Sequence, residues 1–388
     1  MEIDLDALRS NLATVRARAG AGIAVHPVVK ADAYGHGALP IARTLEAAGA
    51  DGLCVAVFDE AVALRNGGIH APIVVLSSVP AAFASEAARR RIGVTVGEPA
   101  LLDELLSALA ALPGRRRLGV QIEVETGLGR GGLQVDAVAS AAARIVSARG
   151  ARLDGLWTHF QAPEDAAATA RQLERFEAAA AAIRSAGIPM PRRHAAASGA
   201  IVGDGVAAYE GVRPGLSIYG LVPDEQLGTL HAGVLATFRP LLSIHARPVR
   251  VATLPAGWGI SYGPTFRTTR TSSIATLPLG YGDGWPRSLS NRAEALVRGR
   301  RVPLVGNVAM DAVMADVSDV PGAPITVDDE FVLLGRQGND EITAADLARA
   351  RTTNSWEVVT NLSWRLPRVY HAGSGPGGLR TLTSGGLG

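Results

Sequence analysis

A chain of 388 residues with 47% hydrophobic content can bury a large core and is long enough for two domains, which argues against a disordered or fibrous protein. Its 38 basic and 36 acidic residues leave a formal net charge of +2, scattered along the chain, so no basic stripe points to nucleic acid. The single cysteine, Cys54, rules out an intrachain disulfide and fits a reducing cytoplasm. Membrane spanning and secretion are disfavoured: no run of about eighteen apolar residues occurs, and Met1-Glu2-Ile3-Asp4 lacks a basic head before an apolar stretch.

In chain order, Leu5, Leu8, Leu12 and Val15 share one helical face behind Asp4, which predicts a capped helix from Ile3 to Arg18. Apolar strands are expected near 25–29, 52–57, 72–76, 93–96, 118–125, 153–159, 193–196 and 211–219, with helices such as Asp165 to Ala186 between most of them. Eight strands alternating with helices predict an α/β fold, a TIM-type (β/α)8 barrel over residues 1–232, with an open doubly wound sheet as the alternative. The arginine runs Arg89-Arg90-Arg91 and Arg115-Arg116-Arg117 read as solvated charges at helix ends or turns. Beyond 232 the texture becomes short β runs broken by Gly and Pro, among them Val249 to Leu254, Ser273 to Leu277 and Phe331 to Leu334. A separate, mostly β domain is therefore expected over 233–372, interrupted by one helix near Thr353 to Leu362 with Thr353 or Asn354 as cap. Residues 373–388, rich in Gly, Ser and Pro, read as a disordered tail.

Candidate chemistry gathers where strands end. Lys30 follows Pro27-Val28-Val29, and the Tyr34-Gly35-His36-Gly37 run cannot easily extend that strand. An amine placed there, its stem among apolar groups, has its pKa lowered by desolvation and becomes a usable nucleophile; taken alone, a solvated lysine beside a turn is the preferred reading, because most lysines lie on the surface. His194-Ala195-Ala196-Ala197-Ser198-Gly199 closes the seventh strand with a hydroxyl and a glycine, a place where amides can face an anion.

The nine residues Val29-Lys30-Ala31-Asp32-Ala33-Tyr34-Gly35-His36-Gly37 resemble the cofactor-lysine signature of the alanine racemases, in which the lysine holds pyridoxal 5'-phosphate (PLP) covalently. Further motifs in the family's order extend the resemblance from Glu2 to Tyr370. It implies that Ser198 and the amides of Gly215 and Leu216 hold the cofactor phosphate with help from Tyr34, that Arg213 faces the pyridine nitrogen, and that His159 lies beside this arginine. A guanidinium can only donate, so the ring nitrogen would stay unprotonated. That weakens the electron sink and favours reprotonation over side reactions. Glu125-Thr126-Gly127-Leu128-Gly129-Arg130 resembles the loop whose arginine approaches the cofactor's phenolic oxygen and the substrate carboxylate. Here Glu123 stands where many relatives carry a lysine, carbamylated in some, so a glutamate would supply the negative partner directly.

In the second domain, Gly259-Ile260-Ser261-Tyr262-Gly263-Pro264 resembles the segment bearing the second catalytic base. Racemisation needs an acid/base on each face of a planar intermediate, so Lys30 alone is insufficient and Tyr262 would serve the other face. Tyrosine ordinarily ionises near ~10, so such a base needs help from positive charge. The resemblance also places Tyr281 and Asp311 at the entrance and the substrate-carboxylate side, where Met310 would offer its backbone amide. Trp364 replaces a tyrosine common in relatives, keeping an aromatic wall with a different polar tip. The activity implied is interconversion of L- and D-alanine for peptidoglycan by a cytoplasmic homodimer with shared sites, with no metal. A racemase of another small amino acid such as serine, a decarboxylase on the same architecture, and a non-catalytic PLP-binding protein are the alternatives.

Overall fold

The computed structural model describes residues 1–110, 117–203, 207–221, 232–373 and 375–383. The chain forms two compact units: Ala7–Ala33 with Ala38–Arg239, and Met1–Asp6 with Tyr34–Gly37 and Pro240–Gly388. Of the second arginine run, Arg115 and Arg116 lie outside the described residues.

The chain begins with β1 (Glu2–Asp4) and a helix at Leu5–Ala19, whose start Asp4 holds by accepting from the Asp6 amide at 2.9 Å. The first unit is an eight-stranded parallel sheet of β2 (Ala24–Val25), β3 (Leu53–Val55), β4 (Ile73–Ser78), β5 (Ile92–Val96), β6 (Leu118–Glu123), β7 (Ala151–Trp157), β8 (Arg192–Ala197) and β9 (Gly211–Arg213). β9 pairs back to β2, and past β2 the Val29 amide donates to the Cys54 carbonyl at 2.8 Å while the Cys54 amide donates to Pro27 at 2.9 Å. These bonds close the sheet into the barrel that the alternation predicts. The strands read as continuous apolar runs because helices cover one face and side chains fill the other; Val25, Val55, Val75, Val94, Ile122 and Val212 are all buried. The eighth strand is shorter than the expected 211–219: Pro214, lacking an N–H, ends it, and Leu216–Tyr219 forms a 3-10 turn.

Lys30 opens a turn that no sequence pattern announced. Ala31, Asp32, Ala33 and Tyr34 all have φ of 52–53°, a left-handed run of non-glycine residues whose usual cost is about 1–2 kcal/mol per residue. Hydrogen bonds offset it: Ala31 N to Glu60 Oε1 at 2.6 Å, Ala33 N to Val29 O at 3.0 Å, and Ala38 N to Asp32 Oδ1 at 2.8 Å.

The second unit is built on an eleven-stranded sheet. It contains β10 (Leu242–Ala246), β11 (Arg250–Leu254), the separate hairpin β12 (Gly259–Ile260) and β13 (Phe266–Arg267), β14 (Ser272–Leu277), β15 (Glu294–Val297), β16 (Arg300–Val305), β17 (Val313–Asp316), β18 (Phe331–Gln337), β19 (Asp340–Ile342), β20 (Arg368–Ala372) and β21 (Gly375–Arg380). β1 lies between β10 and β20 here, so the chain's first strand belongs to this sheet and not to a barrel-side helix. Tyr34–Gly37 also belongs to it: Arg368 Nε donates to the Gly35 carbonyl at 2.9 Å and the Tyr370 hydroxyl to the His36 carbonyl at 3.0 Å.

Two expectations need correction. Helix Ser355–Thr360, capped by Asn354 as predicted, is preceded by another, Ala344–Arg351, where Thr343 and Asp346 form a reciprocal capping box. The segment read as a disordered tail includes β21, which satisfies its backbone by pairing antiparallel with β20 despite its glycines.

Candidate active site

On the barrel unit, Lys30, Arg130, His159 and Ser198 follow the C-terminal ends of strands and Arg213 is the last residue of β9, on the face where barrel enzymes carry their chemistry. Lys30 is half-buried, and burial together with the Arg130 charge lowers its pKa below the ordinary lysine value. Glu60, which the sequence reading passed over, holds the ground around it. Besides the Ala31 amide, its carboxylate accepts from Ala56 at 2.8 Å and Val57 at 3.2 Å, tying the Lys30 turn to the end of β3. Its place as the third residue of helix Phe58–Asn66, three after the N-cap Val57, was the available signal.

Arg213 is fully buried and has no carboxylate partner among the described residues. Nη1 donates to the His194 carbonyl at 2.9 Å and to His194 Nδ1, Nη2 donates to the Thr158 carbonyl at 2.7 Å, and the guanidinium lies 4.7 Å from the centre of the Trp157 ring. Burial pulls its pKa down to about 10, so it stays protonated near neutrality. Nε–H has no protein acceptor among the described residues and is the donor left for a ligand. The histidine bonded to Arg213 is thus His194; burial and the Arg213 charge hold His194 well below the usual histidine range. Its Nε2 is 2.8 Å from Gln121 Oε1. Facing Arg213, Nδ1 accepts, so Nε2 carries the proton toward Gln121. His159 is neutral for the same reasons, with its pKa lowered to about 3 chiefly by burial and then by Arg213, Arg130 and Lys30.

Ser198 Oγ accepts from the Gly215 amide at 2.9 Å and the Ser217 amide at 3.1 Å, so the starts of two short helical turns meet at one hydroxyl. The first amides of such turns have no partner within the turn, leaving donors such as Leu216 N for an anion. Arg130 is 3.4 Å from Glu123 Oε1, and burial raises the Glu123 pKa against the opposing pull of Arg130. Glu125 fixes the glycine-rich loop by accepting from the amides of Gly127 and Gly129. PLP fits this set: an amine with lowered pKa, an anion cradle of amides and a hydroxyl, and an unfilled guanidinium N–H for a ring nitrogen that accepts.

On the β unit, the remaining candidates share one exposed surface. Tyr262 is 77% exposed at the tip of the β12–β13 hairpin. Its carbonyl is held by Asn307 Nδ2 at 2.8 Å, and Ser261 Oγ donates to the Asn307 carbonyl at 2.6 Å. Gly306 (φ 80°) packs against the Ile260 carbonyl so closely that a side chain would collide with it. The same strand-to-loop segment continues to Met310, whose carbonyl accepts from Gly282 at 2.8 Å, while that of Ala309 accepts from Tyr281 at 3.0 Å. Gly280 has no room for a Cβ between Ala309 and Asp311. Asp283, also unremarked in the sequence, anchors the third piece: Arg365 grips its carboxylate at 2.6 and 3.0 Å, and its carbonyl accepts from Ser363 at 2.9 Å. Tyr281, Met310, Asp311 and Trp364 are consequently all exposed on connected loops. Tyr34, expected among the phosphate donors, is buried and groups with this unit.

Residues 3–223 match the family description "Alanine racemase, N-terminal domain" and residues 241–370 "Alanine racemase, C-terminal domain". The chain is 42% identical over 375 residues to an alanine racemase of Symbiobacterium thermophilum, covering 95% of this chain and 96% of that one. It is 37% identical over 373 residues to an alanine racemase of Halothermothrix orenii, with the same coverages. Among solved structures, the alanine racemase of Bacillus anthracis with bound L-Ala-P superposes with a TM-score of 0.90 at 31% identity, covering 97% of this chain and 96% of that chain. The alanine racemase of Streptomyces coelicolor A3(2) does so with a TM-score of 0.87 at 36% identity, covering 96% and 97%. Both halves of the sequence and the whole course of the fold agree, and the chain belongs to the alanine racemase family.

Proposed function

We propose that this chain is a PLP-dependent racemase that interconverts L- and D-alanine by two-base proton transfer. The observation that carries the reading is the Lys30 amine, half-buried at a strand end with a lowered pKa, on the barrel face where Arg213 keeps one N–H unfilled. PLP, when bound, withdraws electrons from the substrate's Cα so that its proton becomes acidic. Lys30 would hold the cofactor and move that proton on one face, and the Tyr262 hydroxyl would move it on the other. Ser198 and the amides of Gly215 and Leu216 would bind the phosphate with Tyr34 in support, while Arg213 donates to the ring nitrogen with neutral His159 nearby. Arg130, partnered by Glu123, and the Met310 amide would orient the substrate carboxylate. Tyr281, Asp311 and Trp364 would shape the entrance and limit side-chain size.

The exposed Tyr262, Tyr281, Met310 and Trp364 further support a homodimer, since a cluster of large exposed apolar groups marks an interaction surface. In this reading each site takes Lys30 from one chain and Tyr262 with Met310 from the other, around a two-fold axis. We place the enzyme in the cytoplasm, supplying D-alanine to peptidoglycan; no helix among the described residues is long and apolar enough to cross a membrane. Incubation of the PLP-loaded protein with L-alanine should yield equal amounts of the two enantiomers. Failure to form D-alanine, with serine or another small amino acid racemised instead, would replace the substrate assignment.

A further inference from the structure

The opposite end of the barrel holds a cavity of about 820 Å³, framed by the starts of β4, β5, β6 and β8. Five arginines line it (Arg65, Arg91, Arg117, Arg152 and Arg192), against two aspartates, Asp51 and Asp154. Both aspartates are already engaged. Asp154 pairs with Arg152, and Asp51 pairs at 3.0 Å with Arg16, outside the cavity lining, and accepts from the Val25 amide at 2.9 Å. Arg65, Arg91, Arg117 and Arg192 have no carboxylate partner among the described residues.

Two of these four are held in place without being neutralised. Arg65 donates to the carbonyls of Ile69, Ala71, Arg90 and Arg91 at 2.8–2.9 Å, and Arg117 Nε to the Ala151 carbonyl at 2.8 Å. Carbonyls orient a guanidinium but leave its charge standing. Arg91 stands in the left-handed region (φ 55°), a position where glycine would be unstrained. The floor is polar as well: Gln121 is buried, and with its Oε1 on His194, its amide nitrogen has no acceptor among the described residues. Like charges lining one concave space repel each other, and an oxyanion ligand would relieve that repulsion while the cavity focuses the field on it.

We propose that the N-terminal mouth of the barrel binds a small polyanion, a molecule carrying at least two phosphate or carboxylate groups, separately from the alanine site. Guanidinium forks match both oxyanions bidentately, and a cavity of this size suits a metabolite-sized ligand. Phosphate esters and polycarboxylates share this chemistry, so the test carries both as pyrophosphate and citrate.

The PLP-loaded enzyme, with racemic alanine at saturation so that the phosphate and carboxylate subsites of the reaction are occupied, would be titrated calorimetrically with each anion. At least one should bind and raise the melting temperature, more weakly as salt is added. The Arg91→Ala/Arg192→Ala double variant should bind about a hundredfold more weakly, roughly tenfold for each lost charged contact. Tighter pyrophosphate would assign a phosphorylated ligand and tighter citrate a polycarboxylate. Should the double variant not fold, Arg192→Glu alone, at an exposed position, should abolish binding. No heat with either anion up to about 10 mM, a range that reaches contacts as weak as ~3 kcal/mol, would overturn the site. Unchanged affinity in the variants, or binding that appears only when alanine is left out, would do the same.

Discussion

The two units carry their candidate residues in opposite states. At the barrel's strand ends the groups are buried, bonded and electrostatically shifted: Arg213 is 2% exposed, Ser198 8%, and Lys30, His159 and His194 all have lowered pKa values. On the β unit they stand out from the surface, with Tyr262 77%, Trp364 64% and Met310 56% exposed, although their loops are pinned from beneath by Asn307, Asp283 and two crowded glycines. Fixed backbone beneath bare side chains is what a surface prepared for a partner looks like. The barrel face is preorganised by its own chain, whereas the β face has a fixed backbone and exposed side chains, and in the proposed dimer it would complete the site of a second copy.

Removing the centre of the preorganised side should have the largest effect. Lys30→Ala should lower racemisation by at least ~10⁴-fold, the scale lost when a covalent and acid/base group goes together. Borohydride should no longer fix the cofactor to the chain. Wild-type protein in which reduction leaves no cofactor on Lys30, the chain's only lysine, would refute the assignment.

Damage to the exposed side should be smaller and one-sided. Tyr262→Phe should cost about 10²–10⁴-fold, the range of a single acid/base group, and suppress solvent-deuterium exchange into one enantiomer far more than into the other. Wild-type rates in both directions would remove Tyr262 from the chemistry. Mixing the two lesions asks whether the completing partner is a second copy. Inactive Lys30→Ala and Tyr262→Ala chains, dissociated together in equal amounts and re-paired at random, give about half mixed dimers, each with one intact site. Activity should return to about a quarter of wild type per site; sites built within one chain would regain none.

The same contrast explains what the sequence disclosed. Barrel strands were legible because parallel strands covered on both sides are written as unbroken apolar runs, and Lys30 stood out through a nine-residue motif. The left-handed turn at Ala31–Tyr34 was not legible, since no glycine marks it and its support comes from Glu60 and Asp32, one of them distant in sequence. The β-unit surface was recoverable residue by residue but not as a surface, because it is assembled by close approaches at Gly280 and Gly306 that composition does not encode. The strand at Gly375–Arg380 was hidden by a composition that also suits disorder; pairing with β20 decided it.

Trp364 tests how far the exposed face sets selectivity. Its bulk should favour alanine over side chains longer than serine's, and Trp364→Ala should relax that preference by roughly tenfold or more, tenfold being the low end of discrimination by volume. Wild-type protein that racemises arginine or lysine as fast as alanine would sink the steric reading.

The smallest effect expected is a change in pH profile at Glu123. Burial raises its pKa in the folded chain, with Arg130 pulling the other way. A carboxyl with a raised folded pKa adds stability below the ordinary glutamate range of about 4.3 and loses it as pH rises through the folded value. At neutral pH ionised Glu123 is therefore a burden on the fold that its pairing with Arg130 only partly offsets. Glu123→Gln should melt no lower than wild type at pH 7. Catalysis should show the reverse: Arg130 has a charged partner only above the folded pKa, so wild-type kcat/KM should fall on the acid side as Glu123 protonates. Glu123→Gln should lose that acid limb and raise KM for alanine a few-fold across the range, as expected for a lost charge-assisted contact of about 1 kcal/mol. An unchanged KM with the acid limb intact would show that Arg130 is oriented by something other than Glu123.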